Sequence, residues 1–390
     1  MARILTVDDE PQIGAYIGRA LRRAGHEVHE TAGGPAAFRL AGHRAFDVAI
    51  VDYAMPGQDG LAVLQRLREM QPGCMRILAS DMIDRPVAID AINRGEISRV
   101  LEKPFDPTTL VETIDEILDM RRRLDELVQV QRIAAHHEER RVLTRCLNGS
   151  DISLALQPII STQTREIVAF EALLRSAHPS LNGPLPLLRA AEQHEMLGEL
   201  ADVVFAHAAE WLSALPPSMK LFINIHPDEL SDTEGFSARL QRLAPWAERV
   251  VLELTERRKL QQVANWEQAM ARIQDIGMQL AIDDLGSGYN ALSLLTVLRP
   301  QYVKADMSII RGVDTDPSRR EIVALLQRLS QATGARLIAE GVETPGEAAA
   351  LVGCMVPMLQ GYLFGRPSAD RDEVRQWAGQ SKKTILSDVA

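Results

Sequence analysis

Five polar residues in the first 110 positions follow short apolar runs, where strands of a parallel sheet would end. They are Asp8, Asp9, Asp52, Ser80 and Lys103. Carboxyl ends of parallel strands share one edge of a sheet, so we expect these side chains to meet. Three carboxylates repel one another unless a divalent cation lies among them, and oxygen ligands suit Mg²⁺ or Mn²⁺. That cation could offset a phosphoryl group on Asp52, which Lys103 and Ser80 would contact.

A second set of polar residues lies in or after apolar runs beyond residue 150. It comprises Glu171 in FEALLR, Asn224 in FINIHP, Glu253 and Glu256 in LELTE, Asp283 and Asp284 in AIDDLGSGY, Lys304 in VKAD, Glu340 and Glu343 in AEGVE, and Gln360 in LQGYLFGRP. A charge in an apolar strand is costly without a partner, so Glu253 and Asp283 need a cation. With Glu171 and Asn224 they form an all-oxygen set suited to Mg²⁺ or Mn²⁺, and Asp283 could bridge two ions.

Two such metal ions suit phosphodiester hydrolysis, because they activate water and stabilise both the attacking and the leaving oxygen. Any one of these acids alone is better explained as a salt-bridged or surface residue. The ordered set favours a site.

The apolar periodicity around the first set predicts an α/β domain of about 120 residues. Strands are expected at 3–7, 28–30, 47–51, 76–79 and 99–101, and helices include 12–23 and 60–70. Strands that alternate with helices in this way form a doubly wound parallel sheet.

A second alternation of strands and helices begins near residue 151. Strands are expected at 153–160, 167–174, 220–225, 249–255, 279–283, 301–305 and 336–339, with helices at 187–197, 203–214, 266–276 and 321–332. Seven or eight units over about 220 residues favour a (β/α) barrel, which brings groups at several strand ends to one face. The expected divisions are 1–120, a linker at 121–150, 151–370 and a tail at 371–390.

The linker is highly charged, with ten charged residues between positions 121 and 141. Asp106 and Pro107 are typical of a helix start. The heptad spacing of Leu110, Ile117 and Leu124 would suit a coiled coil, but Arg121 and Gln131 interrupt it. Both a solvated helical linker and a dimerising coil remain open.

The motifs VDDEP, VDYAMPGQDG, ILASD and LEKPF resemble the receiver domain of two-component response regulators over residues 1 to about 120. The resemblance implies a flavodoxin-like fold in which Asp52 accepts a phosphoryl group from a histidine kinase. Asp8, Asp9 and Asp52 would hold one Mg²⁺ or Mn²⁺, and Ser80 and Lys103 would be switch residues. Val100 stands where receivers usually carry an aromatic switch residue.

The second set of motifs resembles the EAL domain of cyclic di-GMP phosphodiesterases over residues 152–368. The resemblance implies a TIM-like barrel with two Mg²⁺ or Mn²⁺ ions. Their ligands would be Glu171, Asn224, Glu253, Asp283, Asp284 and Glu340. The implied catalytic residues are Glu340 as a general base, Lys304 to orient water and Glu256 to hold the DDLGSGY loop. The implied substrate-binding residues are Arg175, Gln157, Asp306 and Gln360, with Glu343 in support.

Three residues differ from the usual pattern of the EAL family. Leu156 replaces a common Tyr, Ser176 replaces the Trp after EALLR, and Leu285 replaces Phe in the DDFG loop. These changes affect the expected guanine pocket and loop, but none removes an expected metal ligand.

Composition limits the partners of the chain. Its 390 residues carry 43 Lys and Arg against 53 Asp and Glu, a net charge of −10, which disfavours binding to long nucleic acid. The three cysteines have no disulfide or zinc spacing, and no signal peptide or membrane-spanning stretch is evident. We therefore expect a cytoplasmic protein with reduced thiols, and a homodimer by analogy with EAL relatives.

Together these features predict a phosphorylation-responsive enzyme that hydrolyses cyclic di-GMP to linear pGpG. The alternative is a catalytically silent cyclic di-GMP receptor or protein-interaction response regulator. A cyclase is not supported, because no GGDEF-like motif is present.

Overall fold

The computed structural model describes residues 1–81, 92, 97–255, 263–285 and 291–379. At positions 255, 284 and 291–294 only the backbone is described. The chain divides into two compact units, Met1–His136 and His137–Ala390.

The first unit is built on a five-stranded parallel sheet in the order β2-β1-β3-β6-β7. Its strands are β1 (Arg3–Val7), β2 (Glu27–Thr31), β3 (Val48–Asp52), β6 (Met75–Ser80) and β7 (Arg99–Glu102), and β4 (Ala54–Met55) and β5 (Gln58–Asp59) form a small separate hairpin. The helices are α1 (Pro11–Arg23), α2 (Gly34–Ala41) and α3 (Gly60–Met70). Separate apolar clusters around Leu64 and Leu110 cover the sheet, as expected for a doubly wound fold.

A 42-residue helix, α4 (Pro107–Asn148), includes residues of both units. The Asp106 carboxylate caps it by accepting from the backbone N–H groups of Thr108 and Thr109 at 2.8 and 2.9 Å. Six large apolar side chains in its middle are 46–62% exposed, namely Met120, Leu124, Leu127, Val128, Val130 and Ile133. We call these six residues the apolar stripe.

The second unit contains a closed eight-stranded barrel in the order β10-β11-β12-β13-β14-β15-β8-β9. Its strands are β8 (Ile152–Ser161), β9 (Ile167–Ser176), β10 (Lys220–Ile225), β11 (Val250–Thr255), β12 (Gln279–Leu285), β13 (Tyr302–Ala305), β14 (Arg336–Ala339) and β15 (Met358–Gln360). The predicted barrel is confirmed. The sequence predicts only seven of the eight strands, because β15 has just three residues.

One strand of the barrel runs against the others. β8 pairs antiparallel with both β9 and β15, whereas the remaining neighbours pair in parallel. An alternating apolar pattern does not encode strand direction, so this feature was not expected from sequence.

The barrel is surrounded by helices that follow its strands. They are α5 (Pro184–Gln193), α6 (Leu197–Ala214), α7 (Thr233–Leu243), α8 (Trp266–Ile276), α9 (Ala291–Leu298), α10 (Met307–Ile310), α11 (Pro317–Thr333), α12 (Pro345–Gly353) and α13 (Arg371–Gly379). The helix predicted at 187–197 ends earlier, since His194–Met196 separate α5 from α6. Short 3₁₀ turns lie at Pro179–Leu181, Pro227–Ser231 and Ala244–Arg249. Among the described helices, none has the length and apolarity needed to cross a bilayer.

Candidate active site

The barrel interior contains an apolar layer to which each of the eight strands contributes one buried residue. These residues are Ile159, Ala169, Phe222, Val251, Ala281, Tyr302, Ile338 and Met358. Side chains on one face of a strand recur every two residues, so the next layer toward the strand ends lies two positions further along each parallel strand. On the antiparallel strand β8 it lies two positions earlier.

That second layer consists entirely of polar residues. It comprises Gln157, Glu171, Asn224, Glu253, Asp283, Lys304, Glu340 and Gln360. The strand pairing agrees, because Glu253 lies opposite Asn224 and Gln157 opposite Glu171. The barrel therefore gathers eight residues that lie up to 203 positions apart in the chain. All eight were candidates from the sequence.

Lys304 is the cation of this layer, and its side chain is only 1% exposed. Its Nζ lies 3.0 Å from Glu171 Oε2, 3.1 Å from Glu253 Oε1, 3.7 Å from Asp283 Oδ1 and 2.5 Å from Glu340 Oε1. Burial disfavours the ammonium, but the surrounding carboxylates outweigh that penalty and raise the pKa of Lys304 well above its usual value.

Glu171 is held by neutral amides as well as by Lys304. Asn224 Nδ2 donates to Glu171 Oε1 at 3.1 Å, and Gln360 Nε2 donates to Glu171 Oε2 at 2.5 Å. Gln360 Nε2 also contacts Gln157 Oε1 at 3.0 Å, while Gln157 donates to the Gly365 carbonyl. Burial works against ionisation, but Lys304 and Gln360 outweigh it, so the pKa of Glu171 is lowered.

Glu253 is the least satisfied acid in the layer. It is fully buried, and neither carboxyl oxygen has a hydrogen-bond partner in the described part of the chain, although Oε1 has the charge contact with Lys304. Burial, followed by repulsion from Glu171, raises the pKa of Glu253 well above its usual range. Burial likewise raises the pKa of Glu340 to about 8.

These observations fit a site for divalent cations. Four carboxyl groups surround one ammonium, so charge balance requires either bound protons or further cations. The donor atoms are oxygens, and Glu253 offers two buried oxygens that accept no hydrogen bond from any residue the structure describes. Glu171, Asn224, Glu253 and Asp283 could hold such a cation.

A cavity of about 400 Å³ opens beside this layer. Arg175 and Asn224 line it, together with Leu185 and Leu188 of α5. The cavity therefore combines a cationic side chain with apolar walls next to the acids.

The other candidate residues lie in different surroundings. Asp306 caps α10 by accepting from the Ser308 N–H at 2.9 Å. Glu343 does not join the layer: it pairs with Arg311 at the surface. Glu256 lies outside the described residues, as does the side chain of Asp284.

Sequence reasoning missed other polar residues that line the cavity. Arg189, Glu192 and His226 all reach its wall. The helical spacing of Arg189 and Glu192 could have suggested that they share a face with the apolar residues of α5.

The first unit has its own acidic cluster at the carboxyl edge of the sheet. Ligand oxygens of Asp8, Asp9 and Asp52 lie within 4.8 Å of one another. Lys103 Nζ lies 3.0 Å from Asp8 Oδ2 and 2.7 Å from Asp52 Oδ1. Burial raises the pKa of Asp52 despite Lys103, with smaller contributions from Asp8 and Asp9.

The remaining residue of this edge, Ser80, is 2% exposed at the end of β6. The structure thus brings the three acids and Lys103 together. The acids form an oxygen-only set that could hold one hard cation.

Comparison with known proteins assigns a family to each of the two units. The family model for the EAL domain matches residues 140–367, and that for the response regulator receiver domain matches residues 4–115. Cyclic di-GMP phosphodiesterase RocR of Pseudomonas aeruginosa is 27% identical over 94% of this chain and 96% of its own length. Probable cyclic di-GMP phosphodiesterase PdeN of Escherichia coli is 33% identical over 60% of this chain, but over only 47% of its own length.

A solved structure shows the same relationship for the barrel. It is a standalone EAL protein from Vibrio cholerae O395 in its c-di-GMP-bound form, 28% identical with a TM-score of 0.50. The match covers 56% of this chain and 92% of that protein. On these grounds the chain belongs to the EAL domain family and is a response regulator with an N-terminal receiver domain and a C-terminal EAL domain.

Proposed function

We propose that this protein is a metal-dependent phosphodiesterase that hydrolyses cyclic di-GMP to linear pGpG. The observation that carries the proposal is the polar layer, in which four acids, one asparagine and one lysine converge beside a cavity lined by Arg175. The phosphodiesterase activity for which RocR is named and the nucleotide bound to the Vibrio cholerae protein support the same substrate.

The proposed metal ions are two Mg²⁺ or Mn²⁺. Glu171, Asn224, Glu253 and Asp283 would hold one, and Asp283, Asp284 and Glu340 the other. When bound, these cations would lower the pKa of water and stabilise charge on the phosphoryl oxygens.

The side chains of the layer have distinct proposed roles. Glu340, which contacts the ammonium group of Lys304, would in its ionised form take a proton from the attacking water on a carboxyl oxygen. Lys304 would orient that water, because its Nζ lies at the centre of the acids. Arg175 would bind a substrate phosphate, and the apolar cavity wall would receive a guanine base.

The remaining candidates have supporting roles in the proposal. Gln360 and Gln157 lie behind Glu171, so any contact with substrate would be combined with orienting that carboxylate. Glu256 would hold the DDLGSGY loop and Asp306 would contact substrate. Glu343 would support the site from outside the layer.

We propose that the receiver controls this activity. Asp52 would accept a phosphoryl group from a histidine kinase, with Mg²⁺ or Mn²⁺ held by Asp8, Asp9 and Asp52. Lys103 would contact the acyl phosphate and Ser80 would hydrogen-bond it. We place the protein in the cytoplasm, which its three unpaired cysteines support.

The decisive test is cleavage of cyclic di-GMP by the full-length protein with Mg²⁺ or Mn²⁺, with chromatographic identification of pGpG. Wild type should cleave, and Glu171→Ala should be inactive. No cleavage by wild type at any metal concentration, together with measurable nucleotide binding, would instead favour the silent-receptor alternative.

A further inference from the structure

His226 lies two residues after Asn224, where β10 gives way to the 3₁₀ turn Pro227–Ser231. Its backbone N–H donates to Glu229 Oε1 at 2.9 Å, and its Nδ1 accepts from the Asp228 N–H at 3.3 Å. The Asp228 carboxylate is 3.8 Å from Nδ1, beyond hydrogen-bond distance. Because Nδ1 accepts, the ring of a neutral His226 carries its hydrogen on Nε2.

That Nε2 group points to α5. It lies 3.0 Å from Glu192 Oε1, a close polar contact at ion-pair distance. The two side chains are 19% and 42% exposed, so the pair lies at the edge of the cavity and not in the core. The contact joins the loop after β10 to the last turn of α5.

The position of this pair matters because α5 forms one wall of the cavity. Leu185, Leu188 and Arg189 of α5 line it, as does Asn224 of β10. Without the pair, α5 would lose a polar connection to the strand that carries Asn224.

We propose that His226 and Glu192 form a positioning pair that holds the α5 wall in place for substrate binding. The inference rests on the proposed function and adds two residues that contact each other and not the reacting atoms. Such a pair acts on the affinity for the nucleotide, whereas the chemical step depends on the polar layer.

If His226 had a purely structural role, that role would be to cap the 3₁₀ turn. A second histidine in the chain caps such a turn and serves as a control. His178 also precedes a proline and caps a 3₁₀ turn, since its Nδ1 accepts from the Ser180 N–H at 3.3 Å. In the described part of the chain His178 has no carboxylate within ion-pair distance. Comparison of the two histidines therefore separates capping from pairing.

The test uses four single variants and one double variant of the full-length protein. His226→Asn keeps a side-chain acceptor for the turn but removes the Nε2 group that contacts Glu192. Glu192→Ala removes the acceptor, Glu192→Gln keeps a carbonyl acceptor, and His178→Asn is the control. KM and kcat are measured for cyclic di-GMP with Mg²⁺, and the Kd for cyclic di-GMP is measured by calorimetry with Ca²⁺.

His226→Asn and Glu192→Ala should each raise KM and Kd by about fivefold to tenfold, the effect of losing one close polar contact, with kcat within about twofold. Glu192→Gln and His178→Asn should match wild type. The double variant His226→Asn/Glu192→Ala should be no worse than either single variant, because both remove the same contact.

Unchanged KM and Kd in both His226→Asn and Glu192→Ala would overturn the positioning pair while leaving the proposed function intact. A loss confined to kcat would overturn it as well. If wild type binds cyclic di-GMP without cleaving it, the proposed function fails, and the Kd comparison alone decides on the pair. If wild type neither cleaves nor binds it, both proposals fail.

Discussion

Glu253 shows how a single residue can serve function at the expense of stability. Its carboxyl group is fully buried, has no hydrogen bond to the described residues and lies close to Glu171 and Asp283, so it destabilises the metal-free fold. Such residues are expected where a cation completes the site.

We predict that Glu253→Gln raises the melting temperature of the metal-free protein by about 2–4 °C, because an amide loses less hydration free energy on burial than a carboxylate does. The same change should weaken the stabilisation by Mn²⁺, to which the proposed receiver site also contributes, and lower kcat/KM roughly 100-fold or more. Scanning calorimetry with EDTA and with Mn²⁺ measures both effects.

The control for Glu253 is Glu210→Gln, the same chemical change at an exposed acid that pairs with Arg371. Glu210→Gln should retain the response to Mn²⁺. A Glu253→Gln protein that is still stabilised by Mn²⁺ as strongly as wild type would contradict the assignment of Glu253 as a ligand.

Glu229 gives a pH-dependent prediction outside the polar layer. Its Oε2 is buried without a hydrogen-bond partner among the described residues, and burial raises the pKa of Glu229 from 4.5 to about 7. Below pH 4.5 the group is protonated in both the folded and the unfolded state. Between pH 4.5 and 7 only the folded state keeps the proton, so this contribution to stability falls as the pH rises.

Glu229→Gln should remove that dependence. Relative to wild type, the variant should gain up to roughly 3 kcal/mol in free energy of unfolding between pH 4.5 and 7. Urea unfolding across this range, with EDTA present, measures the difference. Parallel pH profiles of the two proteins would contradict the raised pKa of Glu229.

The residues of the site were more predictable from sequence than their contacts. Period-two alternation makes each polar residue face the barrel interior two positions from an apolar one, as with Val251 and Glu253. The pairing of Lys304 with four acids depends on side-chain directions across the barrel, which no local pattern contains. Glu343 shows that a motif does not determine side-chain contacts. It lies in the motif AEGVE beside Glu340, but its side chain pairs with Arg311 at the surface.

At the scale of elements, strands with long apolar runs were located well, whereas short or atypical ones were not. β10 and β14 have the predicted bounds. The three-residue β15 is too short to give a periodic signal, and the reversed direction of β8 depends on its pairing with β15. Gln157 reaches the polar layer only because of that reversal.

Helix α4 carries the proposal of a homodimer. Within its apolar stripe, Met120, Leu124 and Leu127 follow the four-and-three spacing of a coiled-coil seam, and Gln131 continues it as a polar position that could fix register. Arg121 is adjacent to Met120 and is not itself a position of this seam, so it does not interrupt the heptads.

We predict that wild type is dimeric and that Leu124→Glu/Leu127→Glu raises the dimer dissociation constant at least tenfold. Burial of each leucine contributes roughly 1.5–3 kcal/mol, which the charged side chains would remove. Sedimentation equilibrium measures the constant. Gln129→Glu, which adds a charge on the same helix outside the stripe, should leave it unchanged, and a monomeric wild type would refute the homodimer.

At the scale of the whole molecule, part of the negative charge of the chain is concentrated at the proposed metal sites. Eight carboxylates belong to the two proposed metal sites, namely Asp8, Asp9, Asp52, Glu171, Glu253, Asp283, Asp284 and Glu340, so part of the net charge of −10 is located there. An acidic protein can act on a small nucleotide when bound cations, Arg175 and Lys304 supply positive charge. The same composition still disfavours long nucleic acid.

The receiver and the barrel share helix α4, since Leu110 and Ile114 pack in the first unit and Leu143 and Cys146 in the second. Phosphoryl transfer to Asp52 would change the charge contacted by Lys103, so we predict that the state of the receiver changes the rate of cyclic di-GMP hydrolysis.

Beryllofluoride with saturating Mg²⁺ should alter kcat/KM at least about fivefold, within the usual range of allosteric coupling. Asp52→Asn should abolish the response without loss of basal activity, and equal rates for wild type with and without beryllofluoride would contradict the coupling.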